Sequence, residues 1–214
     1  MKPKVILNAG MTLDGKIASR NQDSKISCSE DIERVHKLRA EVDGIIVGIN
    51  TVMVDDPNLT VITQCKCRDP IRIIVDSKGR LPLTSKVLRK GPDTIIAVSK
   101  KAPIKRIEKI RKYATVLILG DTEVNLESLM EELFKIGIKS LLLEGGGTLN
   151  WSMLKEGLVD EVMVAISPKI VGGREAITLV DGDGFGLISE GTKLKLREFY
   201  NLGEDLILKY EVIR

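Results

Sequence analysis

The sequence predicts an α/β chain: a mostly parallel central sheet flanked by helices, followed by a C-terminal antiparallel hairpin. Three observations predict it. Short apolar runs rich in β-branched residues recur through the first four fifths of the chain, several are separated by stretches of helical period, and the last fifth changes to apolar–polar alternation.

The runs at residues 5–7, 45–47, 71–75, 95–98, 116–119, 141–143 and 162–166 are too short for helices and too uniformly apolar for a half-solvated sheet. They read as buried parallel strands. After the first, residues 30–40 read as a helix opened by a capping box, Ser27-x-x-Glu30. Leu126, Leu129, Met130, Leu133 and Phe134 repeat at helical spacing, and residues 151–156 form another short helical stretch. At the end, Leu194 and Leu196, then Leu206, Leu208, Tyr210 and Val212, alternate with polar residues around Asn201-Leu202-Gly203-Glu204-Asp205. That pattern is a hairpin at a sheet edge.

With 214 residues and 43% hydrophobic content, one domain spanning residues 1–214 is expected. A net charge of +3 and an aromatic content of 3% argue against nucleic acid and base stacking, while leaving anionic small molecules open. The apolar run after Met1-Lys2-Pro3-Lys4 is far too short for a signal core or membrane span, so no membrane partner and a cytoplasmic location are expected. Cys28, Cys65, Cys67 and the single His36 lack zinc-site spacing; reduced thiols and no metal are expected.

The sharpest local signal is the run from Leu141 through Glu144, Gly145, Gly146, Gly147, Thr148, Leu149 and Asn150, a strand passing through three glycines into a helix. Bare backbone and a helix N-terminus suit a phosphate, although a tight turn needing positive φ would use the same glycines. The run is neither a P-loop nor a Rossmann fingerprint. Two other strand ends carry cations and hydroxyls suited to a 2′-phosphate: Asp76-Ser77-Lys78-Gly79-Arg80 and Ser99-Lys100-Lys101. Solvated turn charge is the alternative for each. Near the start, Asn8-Ala9-Gly10-Met11-Thr12-Leu13-Asp14-Gly15-Lys16 follows a strand. Thr51 and Asp55 lie one helical turn apart before Pro57, so they face one ligand if that segment is helical.

Together M-T-L-D-G-K, G-x-x-T-V-x-x-D-D-P-x-L-T, P-x-R-I-I-V-D-S, L-L-x-E-G-G-G and the later S-P-K-I-V-G-G resemble, in order and across nearly the whole chain, the pyrimidine reductase family of riboflavin biosynthesis. Within that family the chain looks like the stand-alone archaeal form. The resemblance implies a dihydrofolate-reductase-like fold, a homodimer, and NADPH-dependent reduction of the ribose of 2,5-diamino-6-ribosylamino-4(3H)-pyrimidinone 5′-phosphate, by hydride transfer to C1′. It implies cofactor contacts at Gly10, Thr51, Asp55, Ser77, Lys78, Gly79, Arg80, Gly145, Gly146, Gly147, Thr148 and Leu149. It implies substrate contacts at Thr12, Ser24, Ser27, Arg39, Leu59 and Glu144, with Asp14, Lys16 and Glu144 as candidates for the catalytic proton. Bacterial relatives carry an arginine soon after the L-T-V triplet, where this chain has Ile62; Lys66 and Arg68 are the nearest downstream cations. The H-x-E and P-C-x-x-C ligands of the fused zinc deaminase are absent from the sequence, so reduction without deamination is expected. The rival readings are a dihydrofolate-reductase-type enzyme, a non-catalytic NADPH-binding sensor, and a sugar-phosphate-binding module.

Overall fold

Parallel strands whose carboxyl ends fall in register are the feature that positions the candidate residues. The computed structural model describes residues 1–62 and 68–214; Cys65, Lys66 and Cys67 lie outside the described residues. The chain divides into two units, one comprising Met1–Lys4 and His36–Leu142, the other Val5–Val35 and Leu143–Arg214.

In the first unit, β2 (Gly44–Gly48), β3 (Ile71–Val75), β4 (Thr94–Val98) and β5 (Thr115–Ile118) run parallel, and β6 (Ser140–Leu143) follows β2 in the order β5-β4-β3-β2-β6. Gly48 is paired with Val75, and Val75 with Ala97, so three strands end at one edge. Their β-branched residues fill the core: Ile45, Ile46, Val47, Ile73, Ile74, Ile96 and Val98 have no exposed surface. Lying wholly within this unit are α2 (Ile49–Asp55), α3 (Ile104–Ile110) and α4 (Leu126–Lys135). α4 buries Leu126, Leu129, Met130 and Leu133 on one face, and Asn125 caps it by accepting from the Ser128 N–H at 2.7 Å. α2 ends at Asp56, which takes a left-handed conformation (φ 40°) just before Pro57. The residue ahead of the proline is thus already out of the helix.

In the second unit, β1 (Lys4–Thr12) pairs in parallel with β7 (Glu161–Ser167). β9 (Asp205–Ile213) pairs antiparallel with β7 and with β8 (Lys193–Leu202), as the alternation predicted. α5 (Gly147–Lys155) begins inside the glycine run, four residues earlier than the sequence suggests, because Gly146 serves as its N-cap. α1 (Ser29–Glu41) starts two residues beyond Ser27, and its first turns belong to this unit. The capping box predicted there does not form. Cys28 precedes the helix with its N–H held by Asp205 Oδ2 at 2.9 Å, and Glu30 instead accepts from the Ser29 hydroxyl.

Candidate active site

In the second unit, hydrogen bonds lace together segments far apart in sequence. The carboxyl ends of β1 and β7 meet at Thr12 and Ser167. Beyond them Asp14 ties two turns together: it accepts from the Thr12 hydroxyl (2.6 Å), the Val171 N–H (3.2 Å) and the Gly172 N–H (2.7 Å). The segments M-T-L-D-G-K and S-P-K-I-V-G-G are therefore one structural feature. Lys16 donates to the Ala176 carbonyl at 3.3 Å and bridges to Thr178, while Lys169 donates to the Ile26 carbonyl at 2.8 Å. Ser27 lies over Gly10: a Cβ on Gly10 would meet the Ser27 hydroxyl at 2.3 Å, so only glycine lets that serine sit there. Ser24 is exposed, two residues before the buried Ile26.

The three glycines divide the labour. Gly145 has φ 85°, the left-handed region that favours glycine, and its peptide to Gly146 is cis. Gly146 has φ −73° and needs no such freedom, which corrects the expectation that a positive φ is required there. Gly147 is demanded by packing: a Cβ would sit 2.4 Å from Asp181 Oδ2 and 2.6 Å from the Thr178 carbonyl. The first N–H groups of α5, at Gly147, Thr148 and Leu149, have no acceptor within the helix and form the electropositive end of its dipole. Glu144 is half-buried immediately before this turn.

The first unit supplies a separate set at its own strand ends. Thr51 and Asp55 both lie on α2, one turn apart. The turn after β3 folds around Asp76, whose Oδ2 accepts from the Leu81 N–H at 2.8 Å, with Gly79 at φ 65°. Arg106 holds the carbonyls of Gly79 and Leu81. Ser77 accepts from the Val124 N–H at 3.0 Å, and Arg80 donates to the Asn50 side chain at 3.0 Å. Lys78 is an exposed cation with no ion pair among the described residues.

Further along, Leu59 is buried in a left-handed conformation (φ 51°) that non-glycine residues adopt at a cost. Its neighbours hold it there. Arg39 donates to the Thr60 carbonyl at 3.1 Å, Asp69 accepts from the Val61 N–H, and His36 Nδ1 accepts from the Ile62 N–H. Arg72, only 3% exposed, donates to the Asn58 carbonyl across 3.5 Å and to the Pro92 carbonyl. The structure thus adds backbone support to the roles expected of Arg39.

Four buried polar atoms lack a hydrogen-bond partner among the described residues: Arg72 Nε and three that each adjoin a candidate residue. The three are Asp76 Oδ1 at the end of β3, Asp31 Oδ2 near Gly10, and Asn150 Oδ1 beside Gly145. Buried polar groups are ordinarily paired, so such orphans suit a bound ligand or ordered water. Sequence reasoning missed Asp31, because no local pattern tells which carboxylate of α1 is buried. It is fully buried, paired with Arg34 at 2.7 Å, and Arg34 also reaches Asn8 and the Met163 sulfur. Asp14, by contrast, is held to about 2 in pKa, first by the Thr12 hydroxyl and then by the Gly172 N–H. A carboxyl so stabilised as its anion is a poor proton donor near neutral pH, and the same hydrogen bonds tie the turns at Thr12 and Gly172 together.

The chain matches the protein family described as the RibD C-terminal domain over residues 3–208. The 2,5-diamino-6-ribosylamino-4(3H)-pyrimidinone 5′-phosphate reductase of Methanothermobacter thermautotrophicus is 52% identical to it over 214 residues, with 99% of each chain covered. The protein of the same name from Archaeoglobus fulgidus is 40% identical over 195 residues, 86% of this chain and 89% of that one. Among solved structures, Acinetobacter baumannii RibD superposes with a TM-score of 0.85 at 28% identity, covering 99% of this chain and 58% of that longer one.

Proposed function

The chain belongs to the RibD C-terminal domain family, and from that membership we propose that it is the NADPH-dependent reductase of 2,5-diamino-6-ribosylamino-4(3H)-pyrimidinone 5′-phosphate in riboflavin biosynthesis. The fold is the dihydrofolate-reductase-like α/β fold of RibD reductase domains, mostly parallel with antiparallel C-terminal strands. One observation carries the reading: likeness to the archaeal reductase runs the full length of both chains. In this reading residues 1–214 act as a single reductase domain, cytoplasmic and homodimeric.

NADPH, when bound, supplies the hydride that reduces C1′ of the ribosylamine. The residues fit such a group. The α5 N-terminus and the turn at Gly145, Gly146 and Gly147 offer N–H donors to a pyrophosphate, and the orphaned Asn150 Oδ1 offers an acceptor beside them. Ser77, Lys78 and Arg80 offer a hydroxyl and two cations to a 2′-phosphate, and Arg80 is already oriented by Asn50. Thr51 and Asp55 on α2, with Gly10 on β1, complete the proposed cofactor contacts.

Toward the substrate, Thr12, Ser24, Ser27 and Glu144 supply hydroxyls and a carboxylate for ribose and amino groups, with Arg39 and Leu59 binding the remainder. Asp14 keeps the turns at Thr12 and Gly172 closed together. Glu144 and Lys16 are left to move a proton at the ring oxygen as it opens. Incubation with NADPH and either the deaminated or the undeaminated pyrimidinone tests the reading. Loss of reduced-cofactor absorbance with a ribityl product from the undeaminated compound is expected; turnover of dihydrofolate instead, or of neither pyrimidinone, contradicts it.

A further inference from the structure

Arg106, on α3, belongs to none of the strand-end motifs, yet it grips the turn after β3 from outside. Its Nε donates to the Gly79 carbonyl at 3.0 Å and its Nη2 donates to the Leu81 carbonyl. It makes no ion pair among the described residues, so the guanidinium fork serves backbone carbonyls rather than a carboxylate. Helix and turn touch closely: a Cβ on Gly79 would lie 3.4 Å from the Ala102 Cβ and 3.7 Å from the Arg106 Cβ.

A trans peptide sends its N–H opposite to its carbonyl. The Gly79 carbonyl and the Arg80 N–H belong to one such peptide, so the bond to Arg106 turns the Arg80 N–H away from α3. Two residues earlier the same thing happens: the Ser77 carbonyl accepts from the Ser99 N–H at 3.1 Å and from its hydroxyl at 2.8 Å, which turns out the Lys78 N–H. Neither N–H donates to any atom among the described residues. The Gly79 N–H between them is already used by the Asp76 carbonyl at 3.0 Å. The turn therefore combines two unused N–H groups with two exposed cations, the ingredients of an anion-binding concavity. Its weak point is Gly79, at φ 65°, where a residue without a Cβ turns over readily. Among the described residues only Arg106 holds the Gly79 carbonyl.

We propose that Arg106 is a positioning residue for the 2′-phosphate of the cofactor: by fixing the Gly79 and Leu81 carbonyls it keeps the N–H and the guanidinium of Arg80 in place for that group. It thereby favours NADPH over NADH without touching either. The inference rests on the assignment of the 2′-phosphate to Ser77, Lys78 and Arg80 in the proposed function. A merely structural tie between α3 and the turn would affect both dinucleotides alike.

Calorimetric titration of the full chain with NADPH and with NADH tests it. Arg106→Met is expected to weaken NADPH about tenfold, the loss of roughly one charged hydrogen bond, and to change NADH by less than about twofold. In a chain already carrying Lys78→Ala and Arg80→Ala, which together remove the preference for NADPH, Arg106→Met is expected to add nothing, because it acts through those groups. Arg106→Lys keeps the charge but gives up the fork; it is expected to behave as Arg106→Met does and takes its place should that variant unfold. Four results overturn the proposal: a wild-type ratio of the two affinities in Arg106→Met, equal losses for both cofactors, a further loss when Arg106→Met is added to the two alanine substitutions, or a wild-type ratio in Arg106→Lys. If the chain with Lys78→Ala and Arg80→Ala itself keeps the wild-type ratio, the 2′-phosphate assignment is overturned, and this inference with it.

Discussion

The glycines of the run after β6 differ in what holds them: a left-handed φ at Gly145, packing at Gly147 and neither at Gly146, and the differences predict different losses. Adding a methyl at Gly147 drives it into Asp181 and the Thr178 backbone, so Gly147→Ala should destabilise by about 1–3 kcal/mol through overpacking. Gly146→Ala, at an ordinary φ, should leave the melting temperature nearly unchanged and weaken NADPH binding instead. Equal melting temperatures for the two variants would show that the Gly147 approach is not tight. The cations after β3 make a second case. Replacing Lys78 and Arg80 together with alanine should weaken NADPH by about 1–3 kcal/mol per charged hydrogen bond lost and leave NADH almost untouched. Calorimetric titration with both cofactors decides it, and equal losses would place the 2′-phosphate elsewhere.

Asp14 gives a pH dependence whose sign follows from its environment. Its folded pKa, about 2, lies below the ordinary aspartate value of 3.8, so the folded state prefers the carboxylate. The stabilisation is complete above about 4 and disappears as pH falls toward 2. Asp14→Asn should therefore be less stable than wild type at pH 7, with the gap closing through that acid window. A gap independent of pH would mean the Thr12 and Gly172 hydrogen bonds contribute nothing through the charge.

At the scale of elements, α1 is joined to β1 and β7 by a buried ion pair. Asp31 is fully buried and Arg34 nearly so, and the guanidinium also reaches Asn8 on β1 and Met163 on β7. Removing one partner of such a pair leaves an uncompensated charge, so Arg34→Met should cost about 3–5 kcal/mol in urea unfolding, and Asp31→Asn added to it should recover part. A loss below about 1 kcal/mol would mean water reaches the carboxylate.

The elements were legible to unequal degrees. Runs such as residues 45–47 and 95–98 announce themselves because a strand buried on both faces needs apolar residues at every position. The hairpin shows by alternation, and its turn by Gly203 at φ 57°. The box expected at Ser27 does not form; the turn ahead of α1 is instead anchored at Cys28, whose N–H is held by Asp205, 177 residues away. Among site residues, the strand-end motifs were readable as groups suited to phosphate. Their partners were not: the closing of Asp14 on Gly172, the seat of Ser27 over Gly10, and the support of Thr60 by Arg39 are long-range contacts that no local pattern encodes.

For the molecule as a whole, the family likeness spans 206 of 214 residues, yet the chain matches only 58% of the Acinetobacter RibD it resembles in fold. The proposed reaction is a reduction at one carbon, C1′ of the ribosylamine. Isotope transfer tests it most directly. With NADPH deuterated at the transferable C4 position and the undeaminated ribosylaminopyrimidinone phosphate, mass spectrometry and NMR of the product should find a single deuterium at C1′ of a ribityl chain. Cofactor oxidation with the label in solvent or elsewhere in the pyrimidinone, or a recovered substrate with its ribose intact, would contradict it.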